Sequence, residues 1–250
     1  MVYIKTGTLK GRRLKIPKSA RVSQGLLRQK IFDFLADFVK GARILDLYAG
    51  AGTFGFEAFS RGASHVTFVE NNIGAILRIK QNLERLGLQN ISNGFTIIRS
   101  EVDVFLNNEI KKYQKVGATK YDIIFIDPPY KKILNQTVEH QKRYVRKVLF
   151  KAYKLLNNNA VVILKLHKKI PVTLMSGMAL LKTINHGINA VYVLVQPQAN
   201  QYEKKLAGER LIYGSKEFVQ VGGRKSTKIK KGIKKKKLNE QDYYEFSKLV

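Results

Sequence analysis

The sequence predicts an α/β protein: a doubly wound, mostly parallel sheet of seven strands, preceded by an N-terminal β-hairpin and followed by a basic extension. Three observations carry this reading. Short apolar runs rich in β-branched residues alternate with stretches whose apolar residues recur three and four apart, which is the alternation that builds a parallel sheet. The first run leads into a glycine-rich turn, and the second ends in an acid, Glu70, eighteen residues past Gly52. The fourth run, Ile123 to Ile126, is cut off by Asp127, Pro128, Pro129 and Tyr130, because neither proline can donate to a sheet ladder. Residues 1–22 are expected to form the hairpin, 23–195 the α/β domain and 196–250 the extension.

Taken in order, residues 2 to 17 alternate weakly around Gly7, Gly11 and Pro17, which suits a small hairpin carrying Lys10, Arg12, Arg13 and Lys15. Those side chains can grip phosphates or stand solvated. From Ser23 the spacing of Leu26, Leu27, Ile31, Phe32, Leu35 and Phe38 predicts one helix to about Val39, stopped at Gly41. Arg28 falls off that stripe and is expected to point toward a ligand or to stand solvated, as a lone Arg on a helix usually does.

Ala42 to Leu47 is the first strand, Gly50, Gly52 and Gly55 fit G-x-G-x-x-G, a helix follows to about Arg61, and Val66 to Val69 is the second strand. Strand, glycine turn, helix, strand and acid make a nucleotide-binding unit, with the carboxylate for a ribose diol. Two cofactor classes fit it. A dinucleotide places its pyrophosphate at the helix N-terminus, and Asp46, just before the glycines, would repel that charge. S-adenosylmethionine carries no phosphate and has ammonium and sulfonium charges, so the acid favours the methyl donor.

Asn71 to Leu86 is expected to be a helix with Ile73, Ile76, Leu77, Leu83 and Leu86 inward, closed by Gly87. Thr96 to Arg99 is the third strand, and Glu101 at its tip is the candidate for the adenine edge, with Asp103 competing. A helix through Val104, Phe105 and Ile110 precedes the fourth strand. Val138 to Leu156 reads as a basic helix, Ala160 to Leu164 as a fifth buried strand, and residues 179–184 and 189–195 as a closing antiparallel pair.

Charge is the strongest bulk signal. The chain has 46 Lys and Arg against 18 Asp and Glu, a formal charge of +28, and nucleic acid is the natural partner of such a surface. Arg224 to Lys237 holds nine Lys or Arg in fourteen residues with no acid, including Arg224, Lys225, Lys234 and Lys235, and is expected to be a disordered tail that grips RNA or, alternatively, a solubilising end. With no cysteine there are no disulfides, thiolate metal sites or cysteine nucleophiles. The four histidines lack metal-ligand spacing, so no metal is expected. No apolar leader or membrane span is evident, and a cytoplasmic protein is expected.

Asp127-Pro128-Pro129-Tyr130 looks like the motif of amino-group methyltransferases. Together with Gly7-x-x-Lys10-Gly11-Arg12-Arg13-Leu14, the Leu45 to Gly52 turn, Glu57 to Ala63 and Val66 to Glu70, it makes residues 2 to 195 resemble the RsmD family of 16S rRNA (guanine(966)-N(2))-methyltransferases. The resemblance implies a Rossmann-like class I methyltransferase fold, S-adenosylmethionine as cofactor, and rRNA, within the small ribosomal subunit or its assembly intermediate, as partner. It places Asp46, Gly50 and Gly52 around the methionine moiety, Glu70 on the ribose and Glu101 on the adenine, with Tyr48 and Asn71 in the same cofactor set. Asp127, Pro128, Pro129 and Tyr130 would hold the target guanine. Before its first helix the family reads Arg-Pro-Thr-Thr-Asp-Arg-Val-Arg-Glu; this chain has Arg21-Val22-Ser23-Gln24-Gly25-Leu26-Leu27-Arg28-Gln29, keeping Arg21 and Arg28, which are assigned to RNA. Another amino-group target, adenine N6 or a large-subunit guanine, and a nonenzymatic RNA-binding assembly factor are the alternatives.

Overall fold

Strand after strand, alternate residues enter opposite cores. Ile44, Phe68, Phe125 and Ile163 bury on one face of the sheet, while Leu45, Val69, Ile126 and Leu164 bury on the other. That is the period-two consequence of a sheet covered on both sides. The computed structural model describes residues 2–16, 24–90, 94–116, 120–175, 177–196, 212–213 and 219–221.

A two-residue pair, β1 (Val2–Tyr3) and β2 (Arg13–Leu14), forms the hairpin. Helices α1 (Gln24–Phe34) and α2 (Ala36–Val39) follow, then β3 (Arg43–Leu47), α3 (Thr53–Ser60), β4 (His65–Glu70), α4 (Ile73–Leu86) and β5 (Phe95–Arg99). The second half runs α5 (Val102–Val116), β6 (Tyr121–Ile126), α6 (Tyr130–Leu134), α7 (Val138–Tyr153), β7 (Leu156–His167), β8 (Val172–Leu174), β9 (Ala179–His186) and β10 (Asn189–Val195). The main sheet has the order β9-β10-β7-β6-β3-β4-β5, parallel from β7 to β5 and antiparallel at the β9 end. These are the seven expected strands. An eighth, β11 (Ile212–Tyr213), comes from the extension and pairs with β9, while β12 (Val219–Val221) pairs with β8. Part of the extension therefore continues the fold.

Other expectations are corrected. The helix expected over residues 23–39 is broken at Leu35, whose φ and ψ of −84° and 2° leave the helical region. The basic helix α7 ends at Tyr153 rather than Leu156, and Leu156 already opens β7 opposite Tyr121. Leu26, Ile73 and Leu77, expected inward, are exposed. The buried stripe of α1 instead holds Leu27, Arg28, Ile31 and Phe32, and that of α4 holds Ile76, Ile79, Asn82 and Leu86.

Close approaches explain two glycines. A Cβ on Gly55 would lie 2.3 Å from the Phe68 ring, so the third glycine of the turn serves helix-to-strand packing. A Cβ on Gly7 would lie 1.7 Å from the Ser60 carbonyl oxygen, at a φ of +88°. The hairpin is pressed onto the end of α3 there, with Thr8 N donating to Ser60 O and Leu9 N to Ser60 Oγ. Asn82, fully buried on α4, fixes its return by accepting from Lys15 N and donating to Lys15 O and Ala51 O. Among the described residues no helix is long and apolar enough to cross a membrane.

Candidate active site

The strand order reverses between β3 and β6: the chain leaves β3 toward β4 and β5, then returns to lay β6 on the other side. Crossover connections diverge at such a point and leave a crevice at the strands' carboxyl ends. A cavity of about 680 Å³ lies there, lined by Tyr48, Glu70, Asn71, Glu101, Asp127 and Pro129 among others. Six residues named from sequence thus share one wall. Asp103, the competing candidate for the adenine edge, lies there too, and the structure adds Asn72, Val102, Ile133, Gln136, His140 and Tyr144.

Glu70, at the end of β4, organises the cofactor side. Its Oε2 accepts from Gly50 N at 2.9 Å, and its Oε1 accepts from the backbone amides of Asn71 and Asn72, each at 2.9 Å. One carboxylate thus ties the glycine turn to the start of α4. The Asn71 amide donates to Glu101, which ties the tips of β4 and β5 together. Asp46, Gly50 and Gly52 are not on the cavity wall. Asp46 is buried behind the turn, accepting from Gly55 N at 3.1 Å at the start of α3. Burial pushes its carboxyl well above the ordinary range, and the charges of Asp127 and Glu70 add to the rise against the Gly55 hydrogen bond.

Tyr48 follows β3 with a φ of +60°, an uncommon conformation for a large side chain and one found where neighbouring structure enforces it. Its hydroxyl meets that of Tyr144 on α7 at 2.6 Å, and burial raises the phenols of both. Burial works against charge at Asp103 as well. Hydrogen bonds from Lys151 at 2.5 Å and Lys147 at 3.0 Å outweigh it, and the carboxyl is held below its usual range.

On the substrate side, Asp127 follows β6, is 22% exposed, and receives Lys165 Nζ at 2.7 Å on Oδ1 and 2.6 Å on Oδ2. Pro128 is buried and Pro129 exposed. Tyr130 begins α6, and its side chain lies outside the described residues. Lys165 was not anticipated, yet a lysine inside the apolar run Ala160 to Leu166 was its signal.

Of the RNA candidates, Lys10, Arg12 and Arg13 are exposed on the hairpin. Arg28 is a correction. It is 2% exposed and turned inward, donating to Glu57 Oε2 at 3.3 Å and to the Tyr3 carbonyl at 2.6 Å, because a buried carboxylate on α3 offers the charge its guanidinium needs. Burial lowers its pKa, against the pull of Glu57. Arg21, Arg224, Lys225, Lys234 and Lys235 lie outside the described residues. No group of three metal-ligating side chains occurs among the described residues.

A five-stranded parallel sheet with an antiparallel end, an acid-held glycine turn and Asp-Pro-Pro at the switch point define a Rossmann-like fold of the class I methyltransferase type. The chain belongs to the RsmD family: the family model described as "Conserved hypothetical protein 95" matches residues 2–195. It is 31% identical over 154 residues to the ribosomal RNA small subunit methyltransferase D of Buchnera aphidicola subsp. Acyrthosiphon pisum, covering 60% of this chain and 75% of that one. The solved putative methyltransferase yhhF from Escherichia coli superposes with a TM-score of 0.62 at 24% identity, over 79% of this chain and 98% of that one. A solved hypothetical protein of Thermus thermophilus gives a TM-score of 0.62 at 27% identity, over 78% of this chain and 99% of that one.

Proposed function

We propose that the protein transfers a methyl group from S-adenosylmethionine to the exocyclic N2 of a guanine in small-subunit rRNA. The observation that carries this reading is that Asp127 and Pro129 at the β6 tip share one cavity with Glu70 and Glu101 at the β4 and β5 tips. The relative's rRNA substrate and the exposed basic hairpin support RNA as the partner. The Arg224 to Lys237 block is assigned to the same RNA.

The donor set fits this cofactor. Glu70, Glu101, Asp103 and Asp127 line the cavity with Asp46 behind them, and His140 is the one described lining residue able to carry positive charge. Asp103 and Asp127 are paired with lysines behind the wall, and Glu70 and Glu101 leave the pocket acidic, which disfavours a pyrophosphate and suits ammonium and sulfonium groups. Glu70 would accept from the ribose diol and Glu101 would take the adenine edge. Bound there, the donor supplies an electrophilic methyl on a sulfonium.

Guanine's N2 lone pair is delocalised into the ring, so the amine is a poor nucleophile. The Asp127 carboxylate and the Pro128 carbonyl would accept its protons and favour a tetrahedral nitrogen whose lone pair is free to attack. As the nitrogen–carbon bond forms and the sulfur–carbon bond breaks, the amine sheds one proton toward that acceptor side. Positioning and electrostatics supply the acceleration. The base must leave its stack, and a ring at position 130 would recover about 1–3 kcal/mol of that loss.

Incubating the protein with methyl-labelled donor and either 16S rRNA or small subunits, then digesting to nucleosides, should give N2-methylguanosine. Label on adenine N6, or in large-subunit rRNA alone, would replace this target with another.

Donor binding has its own signature. Glu70→Ala should weaken it by about 1–3 kcal/mol, the range for leaving a charged hydrogen-bond site unmade. The raised Asp46 carboxyl contributes folding stability that is fully present below the ordinary carboxylate range and is lost as pH rises through its elevated value. A cation bound nearby favours the ionised carboxylate, so binding releases protons and affinity rises with pH through that same window. Calorimetry in buffers of different ionisation enthalpy reads the release directly. Proton uptake would contradict the assignment of Asp46.

A further inference from the structure

Lys165 is 2% exposed near the carboxyl end of β7, between Leu164 at 2% and Leu166 at 0%. Lysine is almost never buried so deeply unless it is paired, and an unpaired buried ammonium costs several kcal/mol. Its position follows from register. Phe125 pairs with Ile163 and Ile126 with Leu164 in the parallel β6–β7 ladder, so one step further sets Asp127 beside Lys165 on the same face of the sheet. Asp127 reaches the cavity wall while Lys165 stands behind it.

We propose that Lys165 is a positioning residue for the methyl transfer: its ammonium fixes the Asp127 carboxylate in the rotamer that offers its remaining lone pairs to the target amine. This rests on reading the site as an amino-group methyltransferase. A carboxylate has about four lone-pair sites, of which the bidentate contact occupies one on each oxygen. Two are left, and an amino group that gives its other proton to the Pro128 carbonyl needs only one of them. The ammonium also balances Asp127 against the charge of Asp46 behind it. Stability alone does not account for the pair, since an apolar pair of similar volume commonly does as well as a buried ion pair.

The test is a four-variant cycle on the full chain, with rates per donor-binding site so that unfolded protein is not counted. Lys165→Met should lower kcat about tenfold or more while donor Kd and RNA KM stay within about threefold, the pattern of an interaction felt mainly in the transition state. In Asp127→Asn, Lys165 would claim the single amide oxygen and turn the amide NH2 toward the target amine, donor against donor. Removing the lysine from that variant frees the oxygen. Asp127→Asn with Lys165→Met should therefore be faster than Asp127→Asn alone, so the lysine substitution changes sign between backgrounds. A purely structural lysine gives the same fractional loss in both backgrounds, and that result, or an unchanged kcat in Lys165→Met, overturns the proposal. If Lys165→Met does not fold, the comparison of the two proteins carrying Asp127→Asn decides alone, because neither strands a carboxylate. A wild-type protein that methylates no RNA amine overturns the underlying reading instead.

Discussion

Asp127→Ala should keep donor binding and lose turnover by about 10²–10³-fold, the scale on which removal of one preorganised hydrogen-bonding group reduces kcat. The methyl donor's expected ligands, Glu70 and Glu101, lie on β4 and beyond β5, and their hydrogen bonds to Gly50, Asn71 and Asn72 do not pass through Asp127. What disappears is the acceptor that prepares the amine. The substitution also removes the carboxylate from the Lys165 ion pair, and removing one partner of a buried pair costs up to about 3–5 kcal/mol, so the assay belongs at a temperature where donor titration counts full occupancy. Single-turnover methylation of the rRNA then isolates the chemical step. A rate within a factor of about three of wild type, far below the loss expected of such a group, would show that this carboxylate does not hold the amine.

How much of this was legible in the sequence depends on the range over which each feature is decided. The strand tips were legible because a buried parallel strand is a local apolar run, and Asp127-Pro128-Pro129 ends one abruptly. Gly50, Gly52, Gly55 and Glu70 share a unit whose spacing is fixed by one strand, one turn and one helix, so its strand-turn-helix-strand layout was readable before any pairing was known. Helix phase was less accessible. Leu26, Ile73 and Leu77 extend apolar stripes wider than the strip each helix buries, and tertiary contacts choose the strip. Arg28 failed for the same reason, since its partner Glu57 lies 29 residues away and a charged side chain reads as exposed until its buried partner is known. Lys165 stood between: its place in an apolar strand was visible, but its partner required the β6–β7 register. Short strands in the extension were unreadable, because two or three residues carry no period.

Glu57 is where the largest stability effect is expected. It is fully buried on α3, and its two oxygens gather four donors: Lys5 N at 2.9 Å, Thr6 N at 3.2 Å, Arg28 Nε at 3.3 Å and Arg61 Nε at 3.2 Å. Hairpin, α1 and α3 meet on this one carboxylate. Glu57→Ala leaves the Arg28 guanidinium buried with only the Tyr3 carbonyl, and leaves the Lys5 and Thr6 amides without their acceptor. An uncompensated buried charge costs about 3–5 kcal/mol, a large fraction of the 5–15 kcal/mol that typically holds a domain together. Urea unfolding should show the midpoint falling accordingly, and amide exchange at Lys5 and Thr6 should accelerate before the sheet opens, because the hairpin loses its anchor while the β3–β6 ladder does not. Arg28→Met on top of Glu57→Met removes both charges and should recover much of the loss, so the pair is strongly non-additive. The recovered protein keeps Lys10, Arg12 and Arg13 on its surface, and rRNA affinity returning together with hairpin protection would tie those residues' contribution to the docked hairpin. A loss below about 1 kcal/mol for Glu57→Ala would place Arg28 in contact with water and refute the buried pair.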